Sequence, residues 1–292
     1  MLIQWPPVQN WIIGKVTSKL SKDLQTKIEI KHVDFTLFNK MHLKGVLVED
    51  QKKDTILSAG DLSVNITDWF FLKDKIELKY LGLQDAYIHL QRSDSVWKHQ
   101  FLIDYFSPPG NKKKSQKQSS IDLAIKKVDL KNILIKQDDG WYGQNMMLYL
   151  GALNINPKKV DFNKNKIELA SIFIDKPDFA IKDYKGNKPN IKKTITDKTE
   201  EISDTSALEW NQDKWEVFAD KVSLVNGKLQ VDNDNTPLTA SYFDGNHIEF
   251  AQINGDFENV KWQLDTITAD VKLSTIERSG FNVKKLIANL KM

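Results

Sequence analysis

The chain contains no cysteine. That excludes disulfides and thiolate metal sites, but it leaves the compartment open. With 13 glycines and 8 prolines in 292 residues, it is not a low-complexity chain. Its net charge of +3 is too small to argue for nucleic acid, and no nucleic-acid partner is expected. No complete signal peptide and no apolar run of membrane-spanning length is visible. There is no Gly-x-Ser-x-Gly, no phosphate-cradling glycine loop and no dinucleotide fingerprint. The histidines His32, His42, His89, His99 and His247 are scattered and read as surface or cross-strand residues. Asp85, Asp129, Asp138, Asp139, Asp175 and Asp178 read mainly as turn residues. No catalytic residue, metal or cofactor is expected, and an enzyme is the least favoured class.

What the chain does contain is a repeated apolar pattern. Ile76, Leu78, Leu81, Leu83, Ile88 and Leu90 are separated by steps of two, three, two, five and two. Steps of two are strand steps, because successive side chains point to opposite faces of a sheet. The step of three is a phase slip, as a bulge or sharp bend gives. Residues 84–87 have the length of a hairpin turn, with Asp85 as turn former. The same steps recur from Leu57, Leu148, Ile167 and Val217, and with small departures from Ile28, Leu123 and Ile248. Copies beginning at Ile28, Leu123 and Val217 lie 95 and 94 residues apart. The reading is two full β super-repeats and part of a third.

Along the chain, residues 1–26 read as the end of a membrane anchor followed by an amphipathic helix over 8–24. Trp5 before Pro6-Pro7 suits a membrane–water boundary or a short disordered N-terminus, while the stripe of the helix suits packing on the neighbouring sheet more than lying on a membrane. The first super-repeat spans 27–106, and 107–120 is a basic flexible loop with Lys112, Lys113, Lys114 and Lys117. The second covers 121–184, with turns at Gly140–Gly143 and Asn156-Pro157. A long polar loop follows over 185–213, then a partial third super-repeat over 214–292. Phe281, Val283, Leu286 and Ala288 open another copy, so the array is expected to continue or to be covered by another subunit.

These features predict an all-β fold: an elongated repeat array of antiparallel strands curled into a U-shaped apolar groove, with an N-terminal helix. About fifteen strands would give a trough on the order of 70 Å long. The apolar track consists of Leu81, Leu83, Ile88, Leu90, Ile172, Ile174, Phe179, Ile181, Val222, Leu224, Leu229 and Val231. An open apolar trough needs an apolar filling, and phospholipid acyl chains would serve.

Several stretches carry a family resemblance. Pro6-Pro-Val-Gln-Asn-Trp-Ile-Ile-Gly-Lys-Val-Thr-Ser-Lys-Leu20, Ile28-Glu-Ile-Lys-His-Val-Asp-Phe35, Leu43-Lys-Gly-Val-Leu-Val-Glu-Asp50, Ile66-Thr-Asp-Trp-Phe-Phe71 and Ser279-Gly-Phe-Asn-Val-Lys-Lys-Leu286 resemble the N-terminal region of TamB-type proteins of Bacteroidota. These belong to the AsmA-like group, whose β-groove is similar to that of bridge-like lipid transfer proteins. The resemblance implies a periplasmic protein anchored in the inner membrane, its anchor missing here except for Leu2-Ile3. It implies inner-to-outer-membrane phospholipid transport. The alternative is a scaffold or chaperone of a translocation and assembly module for outer-membrane protein biogenesis and secretion, with an Omp85-type partner. A third reading is a surface adhesin with a filled β core.

Overall fold

A computed structural model describes residues 6–36, 40–66, 75–106, 120–122, 125–189, 211, 214–239, 242–264 and 266–291. Trp69–Leu72, the stretch 107–119, most of the polar loop and the first five residues lie outside the described residues. The elements in chain order are α1 Pro6–Leu24, β1 Ile28–Thr36, β2 Lys40–Glu49, β3 Thr55–Ile66, β4 Lys75–Arg92, α2 Gln100–Phe106, β5 Ser120–Asp122, β6 Lys127–Asp139, β7 Gln144–Asp161, β8 Lys166–Asp183, β9 Glu216–Asn233, β10 His247–Gln263, β11 Thr266–Glu277 and β12 Asn282–Lys291.

Eleven of these strands form one open sheet in the order β1-β2-β3-β4-β6-β7-β8-β9-β10-β11-β12, and β5 pairs with β4. At ~4.8 Å per strand the array is about 50 Å across, shorter than fifteen strands would make it. The all-β array is therefore present, but it is mixed rather than antiparallel throughout. β4 and β6 run parallel, as do β8 and β9. Each parallel pair follows a long connection, 93–126 or 184–215, that returns the chain to the opposite rim of the sheet. The rim holding Glu49, Arg92, Asp139, Asp183 and Asn233 is called the near rim below.

The repeating unit is a single long strand, not a strand, turn and strand. β4 runs without interruption through residues 84–87, and Asp85 takes a left-handed φ of 51° inside it. The apparent step of five from Leu83 to Ile88 is a step of three and a step of two, with Ala86 on the apolar face between them. Asn156-Pro157 likewise lies inside β7, at a register shift against β8. The aspartates read as turn residues are strand residues: Asp129, Asp138 and Asp139 on β6, Asp175 and Asp178 on β8.

Each phase slip belongs to a crease shared by neighbouring strands. Gly45, Gly60, Asp85, Asn132, Gly151, Lys176 and Asn226 fall at one level of the register. Gly45, Asp85, Asn132, Lys176 and Asn226 have φ of 62°, 51°, 53°, 48° and 54°. Gly60 and Gly151 supply room instead. A Cβ on Gly60 would stand 3.1 Å from the Asp85 Cβ, and one on Gly151 3.0 Å from the Asp175 carbonyl oxygen. Asn and Asp suit this line because their short polar side chains tolerate the left-handed region. A second crease crosses β7 to β10, marked by register shifts around Pro157–Lys159 and by Asn259 with φ 54°. Proline fits such points because it has no N–H to offer the ladder.

A left-handed residue reverses which face the next side chain takes, so apolar residues three apart share a face across a crease. The core lies along the first crease. Val46, Ala59, Ala86, Ile133 and Leu150 are register neighbours with relative exposures of 8, 5, 3, 1 and 7%. Leu43, Leu62, Leu83, Leu130, Ile135, Leu148, Leu153 and Ile174 pack against them. Beyond neighbouring strands, the main packing is at one end, where α1 lies against β1 and touches α2. A single-layer sheet seals Ile133 from water because it folds over at the creases, with the apolar face inside.

Helix α1 begins at Pro6-Pro7, where the missing N–H groups cost nothing. It ends with Gln25 at φ 54°, and the Thr26 N–H donates to the Ser21 carbonyl at 3.1 Å. The Thr26 hydroxyl lies 2.7 and 2.8 Å from the Glu49 and Asp50 carbonyl oxygens and shares its one proton between them, which ties the helix end to the end of β2. Leu24 and Val33 are buried. Of the stripe read from the sequence, Leu24 is buried at the sheet end of the helix and Trp11 is 64% exposed.

Ile133→Ala is expected to cost about 3 kcal/mol of stability, from lost burial and an unfilled cavity. At the neighbouring crease position, Asn132→Gly should be close to neutral. Asn132→Val should cost about 1–2 kcal/mol, because a β-branched residue resists positive φ. Urea unfolding of the three variants checks the ordering.

Candidate functional site

The twelve residues of the expected apolar track come together. They lie on β4, β8 and β9 and fall on four cross-strand ladders, three to a ladder. The first runs Leu81, Val128, Ile155, Ile172, Val222, Phe257, Val271 and Ala288. Another continues through Leu83, Leu130, Leu153, Ile174 and Leu224 to Gly255, Leu273 and Leu286. Ile88, Ile135, Leu148, Phe179, Leu229 and Phe250 make the third, which ends at Glu277. Along the near rim the fourth reads Leu90, Gln137, Met146, Ile181, Val231 and Ile248.

Only one position interrupts the second ladder with a missing side chain. A Cβ on Gly255 would stand 2.8 Å from Cε2 of Phe257, so the Phe257 ring already occupies the glycine's space. The row at the first crease was not read from the sequence as part of the track. Its members on β4, β8 and β9 are Ala86, Pro177 and Gly227, which carry little or no apolar side chain. The recurrent step of five was the available signal for it.

The outer face of the same strands is polar and internally paired. Asn154 donates to Asp129 at 2.8 Å, Ser223 to Asp256 at 2.7 Å, and Lys228 stands 3.2 Å from Glu249. His42 meets Ser63 at 2.9 Å and His89 meets Asp138 at 2.6 Å, both across strands. Many hydroxyls, amides and charged groups of this face are thus paired within the sheet, while the inner face offers dispersion contacts and little else. Among the described residues, no three His, Cys, Asp or Glu side chains gather as a metal site would require.

One ion pair fastens the near rim. The Arg92 Nε donates to Asp139 Oδ1 at 2.8 Å, and the Tyr142 N–H donates to the same oxygen at 3.0 Å. The guanidinium also stands 4.5 Å from the Trp97 ring and 4.8 Å from the Tyr142 ring, and the Lys188 ammonium lies 4.5 Å from the same Tyr142 ring. This joins the first strand pair of the β4–β6 parallel junction to the β6–β7 turn. The Arg92 hydrogen bond, with help from backbone N–H groups of Tyr142 and Trp141, holds the Asp139 carboxyl below its ordinary range against the opposing effect of burial.

Compared with known proteins, the chain matches no family model, and no curated protein matches it.

Asp139→Asn is expected to lower stability by about 2–3 kcal/mol at neutral pH, since it leaves the Arg92 charge without its partner. The folded-state carboxyl is depressed, so its contribution is complete above about pH 4, the unfolded-state range, and is lost as pH falls through the lower folded value. The gap between wild type and variant should therefore narrow on acidification in a series of urea unfolding curves.

Proposed function

We propose that the trough holds phospholipid acyl chains, as one segment of a periplasmic route that carries lipid from the inner to the outer membrane. The observation that carries this reading is the set of long, mostly apolar ladders on the inner face of a single-layer sheet. No second layer of the fold covers them along β4 to β9 among the described elements. Each methylene of an acyl chain taken from water into such a surface contributes about 0.8 kcal/mol. The inner face has no set of directional partners, so it would bind chains without selecting a head group. The resemblance to TamB-type proteins of the AsmA-like group points the same way. It also supplies the expectation of an inner-membrane anchor, although no helix among the described residues is long and apolar enough to cross a membrane.

A second reading is favoured by a different observation. β12 pairs only with β11 among the described residues, and Leu286 and Ile287 on it are 44 and 63% exposed. A strand edge of this kind can receive an extended segment through main-chain hydrogen bonds. That would suit a scaffold for outer-membrane protein assembly beside an Omp85-type partner.

Native mass spectrometry with lipid extraction, on the chain purified from a Gram-negative host, separates the two. Co-purifying phospholipid is expected for wild type and for Phe173→Glu, whose side chain is 40% exposed on the outer face. It should be lost in Ile174→Glu, one residue along and on the inner ladder. A well-folded wild-type chain free of lipid, or equal lipid in both variants, would contradict the groove reading.

A further inference from the structure

On the outer face of β9 to β12, three lysines gather around one cavity. Several described lysines of the outer face stand beside carboxylates: Lys44 with Asp34 at 3.2 Å, Lys127 with Asp129 at 2.8 Å, Lys166 with Glu168 at 3.0 Å and Lys182 with Asp234 at 2.9 Å. Lys284 and Lys285 have no ion-pair partner among the described residues, and together with Lys272, which faces Asp256 across β10 and β11, they line one cavity of about 310 Å³. The carboxylate in that cavity, Asp256, already accepts from Ser223 at 2.7 Å and pairs with Lys221 at 3.4 Å. Ser274 also lines the cavity and adds a hydroxyl. The cavity exists because β12 shifts register against β11 between Leu273 and Thr275, which brings the consecutive Lys284 and Lys285 to this level.

We propose that this cavity is a binding site for a phosphate group, separate from the trough because it opens on the opposite face of the sheet. Three ammonium groups, two of them without a carboxylate partner, match a multiply charged anion better than a single carboxylate. Lysine suits the task as a mobile point charge with three donors. A neighbouring cavity of about 280 Å³ shares Asp256 and Lys272 and is lined by Glu258 and Asp270. Its acidic wall confines the anion to the end formed by Lys284 and Lys285. The volume leaves room for more than a phosphate ion, so both a small phosphate ester and a lipid phosphate head group fit the chemistry.

The test is calorimetric titration of the chain with inorganic phosphate at low ionic strength, paired with co-sedimentation on phosphatidylcholine vesicles with and without phosphatidylglycerol. Saturable phosphate binding is expected, weakened by about tenfold or more in Lys284→Gln/Lys285→Gln. It should be unchanged in Lys166→Gln/Lys228→Gln, which removes equal charge from paired lysines on the same face. If only the anionic vesicles bind, and only with Lys284 and Lys285 intact, the site stands and its phosphate comes from a lipid head group. Binding of neither probe overturns the proposal. So does equal weakening in both double variants, which would reduce the effect to net charge, and so does binding of an acidic peptide in place of both phosphate sources. These outcomes are independent of lipid occupancy in the trough.

Discussion

A sheet with one apolar face must cover that face, and this fold does so with its own curvature. Among the described residues, helices cover it at the β1 end, where α1 packs. Over the remaining strands the covering comes from the creases, one shared along the sheet and a second across β7 to β10, which turn the straight segments of each strand toward one another. Ile133, at 1% exposure, sits at the level where the bend is shared by every neighbour. The trough, its ladders and its polar exterior all depend on that shared bend.

The bend is shared because the residues that make it stand side by side. A left-handed residue on one strand meets a left-handed residue or a glycine on the next: Asp85 faces Gly60 on one side and Asn132 on the other, and Asn132 faces Gly151. A non-glycine residue in this region costs energy, least for Asn and Asp. Lys176 and Gln252, with φ of 48° and 50°, carry the cost without that allowance. Burial along the adjacent row offsets it, because each crease brings apolar side chains of two segments into contact. The parallel junctions preserve the alignment: Asp85 and Asn132 remain level although β4 and β6 run the same way.

Much of this was legible in the sequence, for a physical reason. Steps of two report strand pleating directly, so the strands and their apolar faces could be read from Leu81, Leu83, Ile172, Ile174, Val222 and Leu224. The twelve track residues share ladders because each copy of the pattern is one strand, and equivalent positions of neighbouring strands pair. The step of five was ambiguous. Four residues suffice for a turn, and Asp85 is a good turn former, but the same left-handed conformation also creases a continuous strand. Ala86, Pro177 and Gly227 gave no apolar signal at the positions where the chain is most crowded. Strand direction was not encoded locally either. β4 and β6 are parallel because of a long connection whose path no periodicity reports. The pairing of Arg92 with Asp139 joins residues 47 apart in the chain and was likewise invisible before the fold was known.

The creased trough is the claim on which the rest stands, and a single distance tests it most directly. Spin labels at Lys166 and Lys182 would sit near the two ends of β8, both on the outer face. In an uncreased strand, sixteen residues at ~3.3 Å would separate them by about 53 Å. Pulsed electron resonance should find a distance distribution centred well below that value and narrow, as a strand bent twice in a fixed sheet requires. A distribution centred near the extended length would mean a flat sheet, and would contradict the account.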